Sequence, residues 1–221
     1  MIITIDGPSG TGKSTVAKKV AEKLGFTYFD TGAMFRTIAY GILINRIDYT
    51  NHELLTHFLQ TAELSLKIHQ NKIHFYLNCV DVTDHLRTAE VTSLSSKIST
   101  IKAIRDKLSQ LQRDLVKGIS AVFEGRDMGT VIFPNAETKI FLTAEPTVRA
   151  KRRYNELVAK DVTFAQTHSF EKTLQDIQER DERDENREIA PLKAAKDAHL
   201  IDTSNLSIDE VVERIIFLVK S

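Results

Sequence analysis

The chain has 221 residues, enough for one domain with a sizeable core and an insertion, and too many for a mini-protein held together by disulfides. Thirty Lys and Arg against 30 Asp and Glu give a formal net charge of zero, so no global field attracts a nucleic acid or an anionic membrane, and any anion site must be local. Hydrophobic residues at 42% and charged residues at 27% exclude a disordered or membrane-embedded chain, and the single cysteine, Cys79, excludes an internal disulfide. No apolar run approaches the roughly 20 residues of a membrane span, and the N-terminus carries no charged leader. A cytoplasmic protein is expected.

Taken in chain order, an apolar run predicts a strand at residues 3–5, followed by an amphipathic helix at 13–24, a strand at 27–29 and a helix at 33–44. The alternation then breaks. Residues 64–69 and 72–77 alternate apolar and polar side chains around Gln70 and Asn71, the pattern of a small antiparallel hairpin, so an inserted subdomain is expected at about 45–87. A long helical pattern covers about 88–116, with strands at 121–123 and 139–142, then helices at 146–158 and from 170 to about 184. A strand at 199–201 precedes a helix at 208–219 with a stripe of Val211, Val212, Ile215, Ile216 and Val219. Strand and helix alternate, so the class is α/β with a parallel sheet. Residues 179–187 read as an irregular, highly charged stretch and a candidate lid. The organisation expected is one domain: a core of residues 1–44, 88–148 and 190–221, the insertion, and a lid region at about 149–189.

Directly after the first strand, Gly7-Pro8-Ser9-Gly10-Thr11-Gly12-Lys13-Ser14-Thr15 matches G-x-x-x-x-G-K-S/T in the strand-to-helix setting that the motif requires. Glycines let the loop turn its backbone N–H groups onto phosphate oxygens, and the helix that follows offers free amides and its positive end to the same anion. Lys13 is expected to bridge the outer phosphates and Ser14 to ligate Mg²⁺. Loop and alternation together predict a P-loop NTPase fold: a parallel five-stranded sheet flanked by helices, with a small antiparallel β insertion and a helical lid. The loop indicates a nucleoside triphosphate without fixing the reaction, because switches and motors share it with kinases.

Candidate acceptor residues lie at the ends of other strands. Asp30 or Thr31 can cap the helix after the second strand, which puts Arg36 one turn in, at the edge where α/β sheets bind ligands; the plain alternative is a capped helix with a surface arginine. Residues 124–130, Glu-Gly-Arg-Asp-Met-Gly-Thr, set Arg126 and a carboxylate at that same edge, and two arginines there suit a second phosphate. Helical spacing puts Arg180, Asp184 and Arg187 on one face, either as a solvated, salt-bridged helix end or as lid arginines that reach the transferring phosphoryl group. Several arginines and Mg²⁺ around a phosphate loop favour a kinase over a simple hydrolase. A GTP-dependent switch would carry an N-K-x-D guanine reader, which is absent, and a nucleic-acid-binding ATPase is disfavoured by zero net charge and the lack of Trp.

In these motifs the chain resembles the cytidylate kinases, P-loop enzymes that phosphorylate nucleoside monophosphates. The resemblance rests on Ile5-Asp6-Gly7-Pro8-Ser9-Gly10 running into Gly12-Lys13-Ser14, on Asp30-Thr31-Gly32-Ala33, on the segment from Gly125 to Pro134, and on Arg180-Asp181, Arg183-Asp184 and Asn186-Arg187 with Ala190-Pro191-Leu192 behind. It implies phosphoryl transfer from ATP to CMP or dCMP. It further implies that Arg36, Arg126 and Arg187 hold the acceptor phosphate, that Asp184 takes a ribose hydroxyl with Thr31 nearby, that Arg180 assists the transferring group, and that Ser96, Arg105 and Asp127 read cytosine. A carboxylate accepts from the cytosine amine, while Arg and Ser donate to its ring nitrogen and carbonyl; uracil reverses these partners at about 1 to 3 kcal/mol or more. A kinase for UMP or AMP would share the cradle and differ at the acceptor.

Three positions depart from the family pattern: Phe35 stands where tyrosine is frequent, Thr31 replaces a frequent serine, and no proline precedes Arg105. Without that proline the helix is free to run through Thr100 and Ile101, shifting Arg105 slightly. Seven histidines form no metal-ligand pattern, and Cys79 is far from every motif. The cluster Arg149, Lys151, Arg152 and Arg153 faces ATP or is a solvated basic face. The expected partners are ATP with Mg²⁺ and CMP or dCMP, on a monomer with no nucleic-acid or membrane partner.

Overall fold

The computed structural model describes residues 1–69, 72–160 and 164–220. Among these, the elements run β1 (Ile2–Asp6), α1 (Lys13–Leu24), β2 (Thr27–Asp30), α2 (Thr31–Ile44), α3 (His52–Thr61), β3 (Leu64–His69), β4 (Lys72–Leu77), β5 (Val80–Asp81), α4 (Ala89–Ile98), α5 (Lys102–Leu115), β6 (Ala121–Glu124), β7 (Thr138–Thr143), α6 (Pro146–Lys160), α7 (Phe164–Thr167), α8 (Phe170–Glu185), β8 (His199–Asp202) and α9 (Ile208–Lys220). The chain divides into two compact units, Met1–Tyr28 with Gly118–Ser221, and Phe29–Lys117.

The expected parallel five-stranded sheet is formed, in the order β2-β6-β1-β7-β8. Strand β1 is central, and a strand covered on both faces reads as a run of apolar and β-branched residues, as Ile2, Ile3, Thr4 and Ile5 do. In the first unit Ile3, Ile5, Ile140 and Leu142 meet the apolar stripes of α1 (Val16, Ala17, Val20) and α9 (Val211, Val212, Ile215). Each such buried side chain contributes about 1.5 to 3 kcal/mol, so this core holds the ends of β1 and β6 rigidly in place.

In the second unit the antiparallel hairpin has the expected strands, with register from Leu64↔Leu77 to His69↔Lys72, and β5 extends it to three strands. Its turn, Gln70 and Asn71, lies outside the described residues. Asp30 caps α2 through Ala33 N at 2.9 Å. A Cβ at Gly41 would stand 2.7 Å from Phe58 and 2.8 Å from Leu77, so glycine is what allows α3 and β4 to approach α2.

Three expectations are corrected. The helical pattern at 88–116 is two helices, because Ile101 takes an extended conformation (φ −79°, ψ 120°) even without a proline. The hydroxyls of Ser95, Ser99 and Thr100 bond back to carbonyls one turn earlier, which weakens the end of α4. Arg105 Nη1 then donates to Ser99 O at 3.0 Å, satisfying one of the carbonyls released by the break. Second, residues 179–185 are not irregular: they are the last two turns of α8, and Arg187 follows the helix end instead of continuing its face. Third, the insertion carries a helix, α3, with the apolar stripe Leu55, Phe58 and Leu59 under an Asn51 cap.

Candidate active site

The phosphate loop leaves β1 at Gly7, whose φ of +141° and close approach leave no room for a side chain: a Cβ there would lie 2.1 Å from Leu142 O. The loop is braced from outside. Arg149 Nη1 donates to Ser9 O at 3.1 Å, and Thr203 Oγ1 donates to Thr11 O at 3.2 Å. Lys13 opens α1 and folds back over the loop, donating to Pro8 O at 2.5 Å. Burial holds the Lys13 pKa well below that of an ordinary lysine; Arg126 and Arg180 push it the same way, while Glu124 and Asp6 oppose them.

Strands β1 and β6 each end in a carboxylate at this edge. Glu124 Oε2 accepts from Ser14 Oγ at 2.9 Å and Oε1 from Tyr28 Oη at 2.6 Å. Asp6 accepts from Met128 N at 3.0 Å and Gly129 N at 2.8 Å. Burial pushes its pKa up to about 6, against those two hydrogen bonds. Ser14 with Glu124 is a pair of hard oxygen donors of the kind Mg²⁺ takes. Among the described residues no group of three or more His, Cys, Asp or Glu is placed to hold a metal.

Asp184, 1% exposed, sits between two arginines. Arg126 Nε donates to Oδ2 at 2.9 Å and Arg187 Nη2 donates to Oδ1. Burial would raise its pKa, but Arg126, Arg187 and Arg180 outweigh that and hold it below the usual carboxylate value. The first unit thus gathers Lys13, Arg126, Arg180, Asp184 and Arg187 within electrostatic reach of one another. Asp127, buried at the start of the turn after Arg126, belongs to the same unit.

The second unit carries Thr31, Arg36, Ser96 and Arg105. Asp30 Oδ2 accepts from Arg36 Nη2 at 2.8 Å, with Arg87 Nη2 3.6 Å away. Buried Arg105 lies over the ring of Phe35, 5.7 Å from its centroid, a cation–π contact that needs no tyrosine hydroxyl. Thr31 is buried in the first turn of α2, and Ser96 lies on α4, where its carbonyl accepts from Ser99 Oγ.

The basic cluster on α6 resolves into three environments. Arg149 is 4% exposed and pairs with Asp181 at 2.5 Å, tying α6 to α8 as well as to the loop. Arg152 donates to Thr203, and Arg153 pairs with Glu156 at the surface. Sequence reasoning gave no role to Asp6 or Glu124, and it left Arg149 among the four basic residues of one cluster without separating it from the others. For the carboxylates a signal existed: each is a charged residue closing a buried parallel strand, at the edge where such sheets bind ligands.

The sequence matches the family described as Cytidylate kinase over residues 3–221. It is 52% identical over 216 residues to the cytidylate kinase of Protochlamydia amoebophila, covering 98% of this chain and 95% of that protein. It is 46% identical over 220 residues to the cytidylate kinase of Halalkalibacterium halodurans, covering 100% and 97%. In three dimensions it resembles a shikimate kinase from Bacteroides thetaiotaomicron (TM-score 0.50, 12% identity, covering 100% of this chain and 99% of that chain), a likeness of fold alone. Matched over its whole length in this way, the chain belongs to the cytidylate kinase family.

Proposed function

We infer that the chain transfers the γ-phosphoryl group of ATP to CMP or dCMP, giving ADP and CDP or dCDP. The observation that carries this reading is the 46 to 52% identity, over nearly the full length of both chains, to proteins named cytidylate kinase. In this reading the backbone of Gly7, Pro8, Ser9, Gly10, Thr11, Gly12 and Thr15 cradles the triphosphate and Lys13 bridges its outer phosphates. Ser14 would hold Mg²⁺, which when bound neutralises phosphate charge. Arg36, Arg126 and Arg187 take the acceptor phosphate, Asp184 and Thr31 the ribose, and Ser96, Arg105 and Asp127 the base.

An oxygen of the acceptor phosphate attacks the γ-phosphorus in line as the bond to the β-phosphate oxygen breaks, and ADP leaves. No strong base is required, since a phosphate monoester with a second pKa near 6 is largely ionised at neutral pH. Arg126 and Arg180 offset the charge on the transferring oxygens, and closure of the lid residues around them keeps water from the γ-phosphate. Neutral overall charge and a single cysteine support a cytoplasmic enzyme of small molecules, and a monomer is the simplest form in which it would work. Among the described residues, no helix is long and apolar enough to cross a membrane.

A coupled ADP-release assay with ATP and Mg²⁺ and a panel of CMP, dCMP, UMP, AMP and GMP tests this. Turnover should be highest with CMP and dCMP. CMP turnover no faster than AMP turnover would overturn the reading.

A further inference from the structure

We propose that Asp6 is a positioning residue for the acceptor end of the reaction, setting the backbone that carries Arg126 and Asp127. The proposal rests on the assignment of those two residues to the acceptor. Asp6 is 4% exposed, and both its oxygens are committed to one turn of backbone, Met128 N at 3.0 Å and Gly129 N at 2.8 Å. The turn then closes on itself, with Asp127 O accepting from Val131 N at 2.9 Å and Ile132 N at 3.2 Å. It also lies flush on β1: a Cβ at Gly129 would come within 2.9 Å of Thr4 Oγ1.

A neutral side chain of the same shape cannot do this. Asn has one acceptor oxygen, and its amide would point a donor at a second donor, leaving a buried N–H unmet. An ionised carboxylate has only acceptors, so it can hold two adjacent N–H groups at once. Burying that charge is expensive, and the expense fits a turn whose side chains must be held to a fraction of an ångström. The phosphate loop, by contrast, is braced by Arg149 and Thr203, so disturbing the turn should leave the ATP side largely intact. Asp6 also acts on Lys13 less than burial, Arg126, Glu124 and Arg180 do.

The test is steady-state kinetics of the full chain and of Asp6→Asn, with CMP, UMP and ATP each varied. For Asp6→Asn, kcat/KM for CMP should fall about ten- to a hundredfold, the equivalent of one buried donor left unmet. The preference for CMP over UMP should shrink, while KM for ATP stays close to that of the wild type. An intact CMP preference in the variant, or an equal loss toward both bases, overturns the proposal. A wild-type chain that accepts UMP as readily as CMP overturns the acceptor reading itself, and the proposal with it. Should the variant not fold, hydrogen exchange in the wild type decides: Met128 and Gly129 amides as slow as those of β1 support the proposal, and exchange at the rate of exposed turns overturns it.

Discussion

Removing Asp184 should convert a stable charge cluster into a repulsive one. Its carboxylate is 2% exposed and is shared by Arg126 and Arg187, whose side chains are 18% and 6% exposed. In Asp184→Ala the two guanidinium groups face each other with little water to screen them. Breaking a buried ion pair from one side costs about 3 to 5 kcal/mol. For a chain of this size that corresponds to a fall in melting temperature of roughly 6 to 20 °C, at about 2 to 4 °C per kcal/mol. Thermal unfolding followed by circular dichroism at pH 7.5 in a chloride buffer measures it directly, with Asp209→Ala, the exposed end of a surface pair with Lys19, as a control that should not move. Inorganic phosphate supplies an anion that the two arginines lack in the variant, so added phosphate should raise the variant's melting temperature more than the wild type's. The sign with pH follows from a depressed carboxylate pKa: the stabilisation is present above the ordinary Asp value of 3.8 and fades as pH falls below it. An Asp184→Ala protein that melts with the Asp209→Ala control would refute the reasoning.

Two further outcomes are expected. Arg126→Ala should lower turnover with CMP by about 10²- to 10³-fold while KM for ATP changes little, measured by ADP release at a temperature where the variant is folded; unaltered turnover removes Arg126 from the site. Asp6 should leave a mark on the pH dependence of stability: its pKa rises from 3.8 to about 6 on folding, so its contribution is whole below the unfolded value and is lost as pH climbs through 6. That rise corresponds to about 3 kcal/mol. Urea unfolding at pH 4, 6 and 8 should therefore show Asp6→Asn gaining on the wild type as pH rises, and a constant gap across that range would contradict it.

Much of this was legible from the residues, for reasons that differ along the chain. The turn of the phosphate loop is legible because its shape is set by the backbone, and glycine announces such backbone demands directly, as at Gly7. The sheet was read because buried parallel strands leave unbroken apolar runs. The break between α4 and α5 was hidden because it depends on hydroxyls whose choice between water and backbone has no sequence signature, and the local contact that accompanies it, Arg105 reaching Ser99 O, is made only across the break. The charged end of α8 looked irregular because its order comes from partners far away in sequence, Arg126 for Asp184 and Arg149 for Asp181. Arg149 was indistinguishable from Arg152 and Arg153 because four basic residues in five positions mask the phase of the helix.

The zero net charge and the crowded cations of the first unit have a common physical basis. Lys13, Arg126, Arg180 and Arg187 each act electrostatically on a neighbour in the group, and such an array holds together only with anions among them. Asp6, Glu124 and Asp184 are those anions, and each is also engaged in geometry: Asp6 with a turn, Glu124 with Ser14 and Tyr28, Asp184 with two arginines. A cluster balanced from within stays ordered before any phosphate arrives, so little of the binding energy of an incoming nucleotide is consumed in arranging it. Its net attraction for phosphate then comes from the excess of cations over carboxylates, and it is this local excess that a neutral chain can keep without recruiting larger polyanions.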